Sequence, residues 1–106
     1  MNQELLELQA HTCKCLSHPK RLEILCALEA GEKSFAELQH VTGLSKANLS
    51  QHLGILRGRG MVVARRDGQH MWFAVANPKI SEACGLMREV LYERIAAQQS
   101  LRGPGG

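Results

Sequence analysis

The chain has 106 residues, with 13 Lys or Arg against 10 Asp or Glu, a formal net charge of +3 and a pI of about 8.8. This length fits one domain with a modest core, and a domain of this size gains stability from oligomerisation. The charge is uneven: residues 45–72 carry five Lys or Arg and one Asp, whereas residues 1–44 carry four Lys or Arg and six Glu. This clustering favours a polyanionic partner for the middle of the chain.

Membrane insertion and secretion are not predicted. No apolar run reaches the roughly 18 residues that a membrane helix needs, and the acidic N-terminus lacks the cleavage pattern of a signal peptide. We therefore predict a cytoplasmic protein without a membrane partner. In that compartment the four cysteines, Cys13, Cys15, Cys26 and Cys84, are mainly reduced thiols.

Two helices are predicted in the first third of the chain. The first covers residues 3–16, where Leu5, Leu8, Cys15 and Leu16 are the apolar positions. The second begins at Pro19 after a cap at Ser17 or His18, because proline suits the first helical position. Gly31 ends this helix. Its predicted apolar stripe consists of Leu22, Leu25, Cys26 and Leu28.

A capping box predicts where the third helix begins. Ser34 is followed three residues later by Glu37. The predicted buried face of this helix is Phe35, Leu38 and Val41. Gly43 supplies the left-handed residue of a short turn, and Ser45 caps a fourth helix that reaches about Gly58. Two helices joined by a turn of about four residues containing glycine are typical of a helix-turn-helix.

The stretch "MVVARRDGQHMWFAV" predicts a β-hairpin after the fourth helix, because two β-prone segments flank Asp67 and Gly68. Pro78 then opens a last helix, which reaches about Ser100 and is rich in the apolar residues that a dimer interface needs. The predicted fold class is mainly α with a β-hairpin wing. It is a single winged helix-turn-helix domain over residues 1–101, followed by a flexible tail over residues 102–106.

The fourth helix carries the first set of candidate DNA-binding residues. Leu49, Leu53 and Leu56 fall at i, i+4 and i+7 and attach the helix to the domain. The second helix of a helix-turn-helix enters the major groove, where amide, hydroxyl and ammonium groups bind base edges or phosphates. The residues left to face DNA are Ser45, Lys46, Asn48, Ser50, Gln51 and His52. For His52 two alternatives stay open, a phosphate contact or a hydrogen bond within the fold.

The hairpin supplies the second set. Its candidate DNA-binding residues are Arg65, Arg66, Gln69 and His70. These side chains flank the turn, from which they can reach phosphates or the minor groove. Each phosphate that they neutralise would steepen the salt dependence of binding. Double-stranded DNA is therefore the predicted partner.

Three stretches of the chain resemble the ArsR/SmtB family of winged-helix repressors. They are "LSHPKRLEIL", "GEKSFAELQHVTGLSKANLSQHLGILRGRGMV" and "RRDGQHMWFAV", and the resemblance covers roughly residues 8–75. It implies a homodimer built on the first and last helices. It also implies binding to an imperfect palindromic operator and release by an inducer.

The two metal sites common in that family are missing from this sequence. The arsenic-type site places Cys-x-Cys in the first helix of the helix-turn-helix, where this chain has "FAELQHV". The other site uses Asp, His and Glu in the last helix, but residues 78–100 contain no Asp and no His. The resemblance therefore leaves the inducer open.

The four cysteines are the candidate inducer-sensing residues. Cys26 resembles a cysteine of the persulfide-responsive subgroup, which pairs it with a second one near the end of the last helix. The corresponding stretch here, "VLYERIAA", has none, and Cys84 lies about three turns earlier. A sulfur or redox sensor is one interpretation of this set.

Cys13 and Cys15 are two residues apart, so they do not share a helix face, and a thiolate site would need a third ligand such as Cys84 of a second chain. Such a site would suit As(III), Sb(III) or another thiophilic ion, and no other cofactor is predicted. The third interpretation is that the cysteines only pack as small hydrophobic residues.

Two other classes of function bear on this sequence, an enzyme and a protein-interaction module. The chain has no nucleophile-base-orienter motif and no glycine-rich phosphate loop, so we predict that it is not an enzyme. A winged-helix protein-interaction module with structural cysteines and no inducer stays open. Such a module would show little salt-dependent affinity for duplex DNA.

Overall fold

A computed structural model describes residues 1–102, and within them the chain forms five helices and one three-stranded sheet. In chain order the elements are α1 (Gln3–Cys15), α2 (Pro19–Leu28), β1 (Lys33–Ser34), α3 (Phe35–Thr42), α4 (Lys46–Gly58), β2 (Val62–Asp67), β3 (His70–Val75) and α5 (Pro78–Arg102). The predicted tail at 102–106 lies outside the described residues, except that Arg102 ends α5.

Local sequence signals set most helix ends where they were predicted. Pro19 occupies the first turn of α2, and the His18 ring accepts a hydrogen bond from the Lys20 amide at 3.1 Å. The capping box of α3 is formed in both directions, from the Glu37 amide to Ser34 Oγ at 3.1 Å and from the Ser34 amide to Glu37 Oε1 at 3.3 Å. Each bond satisfies a backbone donor that the first turn leaves free.

The helix-turn-helix and the hairpin are both confirmed. Gly43 ends α3 with φ of 70°, and Ser45 Oγ accepts a hydrogen bond from the Asn48 amide at 3.2 Å to cap α4. The strands β2 and β3 pair antiparallel with Asp67 opposite His70. Gly68, with φ of 64°, turns the chain between them. The sequence did not predict β1, a two-residue strand that pairs with β3 and gives the strand order β1-β3-β2.

The core lies where α2, α3, α4 and the sheet meet. Its fully buried members are Ile24, Leu38, Leu49 and Leu56, and it also contains Leu25, Leu28, Leu53, Val62, Phe73 and Cys15. The predicted attachment of α4 through three leucines is therefore confirmed. Since α4 packs against α2, α3 and β2, its exposed side is presented by a rigid support.

Three predicted buried positions are wrong. The sequence predicts Leu22 and Cys26 on the apolar stripe of α2, but α2 is rotated so that Ile24, Leu25 and Leu28 enter the core, and both Leu22 and Cys26 are exposed. In α3, Val41 is exposed although the sequence predicts it to be buried, and Thr42 is buried instead. Burial of this threonine is tolerated because its hydroxyl donates to the Leu38 carbonyl oxygen at 2.8 Å.

The helices α1 and α5 project from this core. The radius of gyration is 16.7 Å, whereas a compact chain of this length has a radius of gyration of about 13 Å. Large apolar side chains on both helices are at least 38% exposed; they are Leu5, Leu6, Leu8, Leu86, Met87, Val90, Leu91, Tyr92 and Ile95. Within residues 1–102, no helix combines the length and apolar character needed to cross a membrane.

Candidate nucleic-acid interface

The exposed side of α4 carries the residues predicted to read DNA. Lys46, Asn48, Ser50 and Gln51 are all exposed, and Ser45 at the helix start is exposed as well. The helix dipole and the free amides of the first turn favour an anion at this end. The side opposite the three buried leucines is centred on Gln51, which makes this amide the most outward polar group of the helix.

Three residues that the sequence pattern did not single out also shape this surface. Ala47 and Gly54 lie on the same outward side of α4 as Gln51, and nothing lies within 4 Å of where a Cβ on Gly54 would be. Small residues there allow the helix backbone to approach a base pair closely. Arg57 lines an open groove of about 500 Å³ between the end of α4 and β2. Arg57 lies at the opposite end of α4 from the polar cluster, so the sequence pattern did not single it out.

The wing, defined as β2, β3 and the turn between them, holds its two arginines differently. Arg65 donates from Nε to Glu32 Oε2 at 2.7 Å and from Nη2 to Glu32 Oε1 at 2.6 Å, and its guanidinium lies 5.6 Å from the Trp72 ring centroid. These hydrogen bonds raise the pKa of Arg65 and lower the pKa of Glu32. A phosphate contact by Arg65 would therefore require exchange of Glu32 for the phosphate. Arg66 makes no hydrogen bond or ion pair with any described residue, so its charge is available.

The remaining wing candidates lie at the turn. Gln69 and His70 are exposed, and His70 faces Asp67 across the hairpin. Three consecutive exposed side chains precede the turn, those of Arg65, Arg66 and Asp67. This geometry brings Arg66, Gln69 and His70 to one tip, at which polar contacts with a duplex can form together.

His52 contacts other residues within the fold. Its Nδ1 lies 3.3 Å from Arg21 Nη1, and its ring centroid lies 4.6 Å from that of His18. Because a guanidinium can only donate, Nδ1 accepts, and the ring proton belongs on Nε2. Burial lowers the pKa of His52, and the charges of His18 and Arg21 lower it further. Contact between His52 and a phosphate stays a prediction, and a neutral ring would make it through Nε2 alone.

This contact predicts an acid-dependent loss of stability. The folded pKa of His52 is below the unfolded value, so the unfolded chain takes up more protons as the pH falls through about 6.5, and the free energy of unfolding decreases there. Protonation also turns the Arg21 contact into a repulsion. We expect His52→Gln, which keeps a hydrogen-bond acceptor, to lose this part of the pH dependence. Denaturant unfolding of both chains between about pH 7 and pH 5 measures it. Parallel pH profiles for the two chains would contradict this role.

The cysteines occupy four different environments. Cys15 is buried in the core with 6% exposure, whereas Cys13 is exposed on the other side of α1. Cys26 is exposed on α2, and its Sγ accepts a hydrogen bond from Arg88 Nη1 at 2.9 Å. Cys84 is half-buried on α5, and burial raises its pKa. All four are free thiols.

The structure separates Cys13 from Cys15 and associates Cys26 with Cys84. The first two cannot chelate one ion unless Cys15 leaves the core. Among the residues that the structure describes, no three His, Cys, Asp or Glu side chains of the single chain form a group able to hold a metal ion. A thiophilic ion would therefore need ligands from a second chain or a local rearrangement.

The chain is similar in sequence and in structure to known proteins. A sequence model described as "Bacterial regulatory protein, arsR family" matches residues 18–63, which span α2 to the start of β2. The chain is 40% identical to the uncharacterized HTH-type transcriptional regulator Rv0081 of Mycobacterium tuberculosis, over 98% of this chain and 96% of that protein. The chain belongs to the arsR family of bacterial regulatory proteins.

One further relative and two solved structures agree with this assignment. The biofilm growth-associated repressor of Xylella fastidiosa is 36% identical, over 85% of this chain and 75% of the repressor. The crystal structure of Rv0081 superposes with a TM-score of 0.84 and covers 92% of this chain and 98% of its own. The solution structure of the homodimeric winged helix-turn-helix DNA-binding domain Mb0332 from Mycobacterium bovis has a TM-score of 0.80 at 29% identity, over 87% and 85% of the two chains.

These likenesses confirm the fold class and the transcription-regulator family. The match over residues 18–63 contains the complete helix-turn-helix and therefore every candidate residue of α4. The named relatives are regulators, and the arsR-family match thus assigns the helix-turn-helix to a regulatory protein.

Proposed function

We propose that this chain is a homodimeric DNA-binding transcriptional repressor that a thiol-reactive or thiophilic inducer releases from its operator. The observation that carries the proposal is the exposed polar side of α4, held rigidly by three buried leucines and placed beside a wing with a free arginine. This arrangement supports docking of α4 in the major groove with the wing on the flanking backbone. Such a regulator acts on the chromosome, which places it in the cytoplasm.

The proposed operator is an imperfect palindrome. A two-fold dimer presents two copies of α4, and their separation has to match one helical turn of DNA, about 34–36 Å. The relative from Mycobacterium bovis is homodimeric, and α1 and α5 of this chain expose apolar side chains in the isolated protomer. Both observations support a dimer through these two helices.

Titration of the full chain against a duplex from its own promoter region tests the DNA-binding part. We expect specific binding that weakens steeply as salt rises, because each neutralised phosphate releases counterions. A scrambled duplex of the same length is the control. Weak, salt-independent affinity for both duplexes would instead favour the protein-interaction module.

Thiol control of release is the second part of the proposal. Moving a dimer from mostly bound to mostly free takes roughly 5.5 kcal/mol of difference between the two states. A covalent modification or several metal-thiolate bonds can supply that difference, whereas one neutral hydrogen bond cannot. Cys26 supports the sulfur or redox route because it is exposed. The As(III) or Sb(III) route would use Cys13 and Cys15 with Cys84 of a second chain.

Single cysteine variants separate the two routes. Under a sulfane-sulfur or disulfide reagent, Cys26→Ser is expected to keep the operator bound while the wild-type chain releases it. Under arsenite, the variants expected to resist release are Cys13→Ser, Cys15→Ser and Cys84→Ser. Operator release is measured for all four Cys→Ser variants under both reagents, with reversal by a thiol reductant as the check on the first. If the wild-type chain releases under neither, the cysteines only pack and thiol control is wrong.

A further inference from the structure

The last helix is attached to its own protomer along only part of its length. Its half-buried positions are Ile80, Ser81, Cys84, Gly85 and Arg88, whereas every side chain from residue 89 to residue 100 is exposed. Arg88 is therefore the last position at which α5 packs on the body of the protomer. Whatever holds Arg88 determines the direction in which the rest of α5 projects.

Arg88 is held by Cys26 of α2 and by Glu29, the residue that caps the end of α2. Its Nη1 donates to Cys26 Sγ at 2.9 Å, and its Nη2 lies 3.0 Å from both carboxylate oxygens of Glu29. Cys26 and Glu29 are three residues apart, so they lie on one face of that helix. Within residues 1–100, no other side-chain hydrogen bond joins α5 to another element.

The geometry of the guanidinium makes the two contacts interdependent. Glu29 fixes the plane of the Arg88 fork, which aims the remaining N–H groups at the sulfur. A charged donor makes its strongest hydrogen bond to a thiolate, because the acceptor then carries the opposite charge. Cys84, one turn before Arg88, is half-buried, whereas Cys26 is exposed and in contact with the Arg88 guanidinium, so Cys26 is the more accessible thiol of this cluster.

We infer that Arg88 is the positioning residue through which a chemical change at Cys26 alters the direction of α5. The inference rests on the proposed function, in which α5 joins the dimer and a thiol controls release. Any modification that occupies the Cys26 sulfur removes the acceptor and adds atoms beside Nη1. Arg88 then keeps only Glu29, and the point where α5 leaves the body is loosened.

The change reaches the DNA-reading helix through α2. This helix packs against α3 and α4, so it moves with the helix-turn-helix as one unit. In a dimer joined through α5, a different angle between α2 and α5 in each protomer changes the distance between the two copies of α4. The spacing of the two half-sites on DNA is fixed. The two copies of α4 then no longer match it, and affinity for the operator falls.

Alkylation with iodoacetamide tests the inference with defined chemistry. The Cys26 thiolate attacks the methylene carbon, a C–S bond forms, iodide leaves with the electron pair of the C–I bond, and the thiol proton goes to solvent. The parent chain carries Cys13→Ser and Cys84→Ala, which leaves Cys26 as its one thiol outside the core. Intact mass confirms a single adduct per chain.

We expect alkylation of the parent to weaken operator binding about tenfold, which is about 1.4 kcal/mol shared between the two Arg88 contacts of a dimer. Arg88→Gln without reagent is expected to bind as weakly as the alkylated parent, and alkylation should then cause no further change. Arg94→Gln, on the same helix without a described hydrogen-bond partner, is the matched control and should respond like the parent. Thermal unfolding and sedimentation establish that each variant is folded and dimeric.

The possible failures are distinguishable. If Arg88→Gln responds to alkylation as fully as the parent, the role of Arg88 is wrong and thiol control stands. If the parent does not respond once Cys26 is alkylated, both the inference and control through Cys26 are wrong, while DNA binding is unaffected. Should Arg88→Gln not fold, Arg88→Lys replaces it, because lysine keeps the charge but lacks the fork. It should respond less than the parent, and an equal response would overturn the inference.

Discussion

The Leu91→Glu variant is expected to be a monomer at micromolar concentration, where we expect the wild-type chain to be a dimer. Leu91 is 46% exposed in the isolated protomer and lies among other exposed apolar residues of α5. Contiguous apolar surface of this kind marks an interaction site. In a two-fold dimer the change occurs twice. Losing two buried leucines at about 1.5–3 kcal/mol each raises the dissociation constant by roughly two to four powers of ten.

Burial of the new carboxylate adds to this effect, because an unpaired charge in an interface is strongly unfavourable. Sedimentation velocity over a range of concentrations measures the dissociation constant. Glu89→Gln, an exposed change on the same helix, is the control for altered charge. A wild-type chain that sediments as a monomer would contradict the dimer, and an unchanged Leu91→Glu dimer would exclude Leu91 from the interface.

The second large effect is expected on α4. Gln51→Ala should lower affinity for the operator by about 1–3 kcal/mol, roughly 5- to 150-fold, for each half-site, because a bidentate amide contact to a base edge is lost in each. Affinity for a scrambled duplex should stay the same. The reason to single out Gln51 is its position, since it is exposed at the centre of the side opposite Leu49 and Leu53.

Arg66→Ala provides the contrast to Gln51→Ala. A phosphate contact carries no sequence information, so this variant should weaken operator and scrambled duplex alike and reduce the salt slope by about 0.9 for each protomer, about 1.8 for the dimer. Arg94→Ala removes the same charge away from α4 and the wing and should leave the slope unchanged. If Gln51→Ala weakened both duplexes equally, or if Arg66→Ala bound normally at low and high salt, these assignments would be wrong.

Arg65 is expected to behave differently from Arg66, although the sequence places them side by side. The Arg65 guanidinium is shared between Glu32 and the Trp72 ring, so it holds the wing against the segment before β1. Successive side chains of a strand point to opposite faces, so Arg65 and Arg66 lie on opposite faces of β2. Only their partners elsewhere in the fold distinguish them. The partner on the far side, Glu32, lies 33 residues away in the sequence.

Helix starts, the helix-turn-helix and the hairpin were determined by short stretches of sequence. Ser34 with Glu37, Gly43, Ser45 and the Asp67-Gly68 pair each act on backbone groups within a few residues of themselves. Such signals are readable because both partners lie in the same turn of chain. The three buried leucines of α4 could be predicted for the same reason, because their spacing repeats with the helix period.

The tertiary structure alone decided which functional side chains are free and which are already held. His52 lies against Arg21, Arg65 against Glu32, and Cys26 against Arg88, in pairs that are 31, 33 and 62 residues apart. No periodicity encodes such pairs, because they depend on how whole helices and strands pack. The same holds for burial: Cys26 and Val41 were expected inside and are exposed, since the rotation of α2 and α3 is set by the residues that they meet in the core.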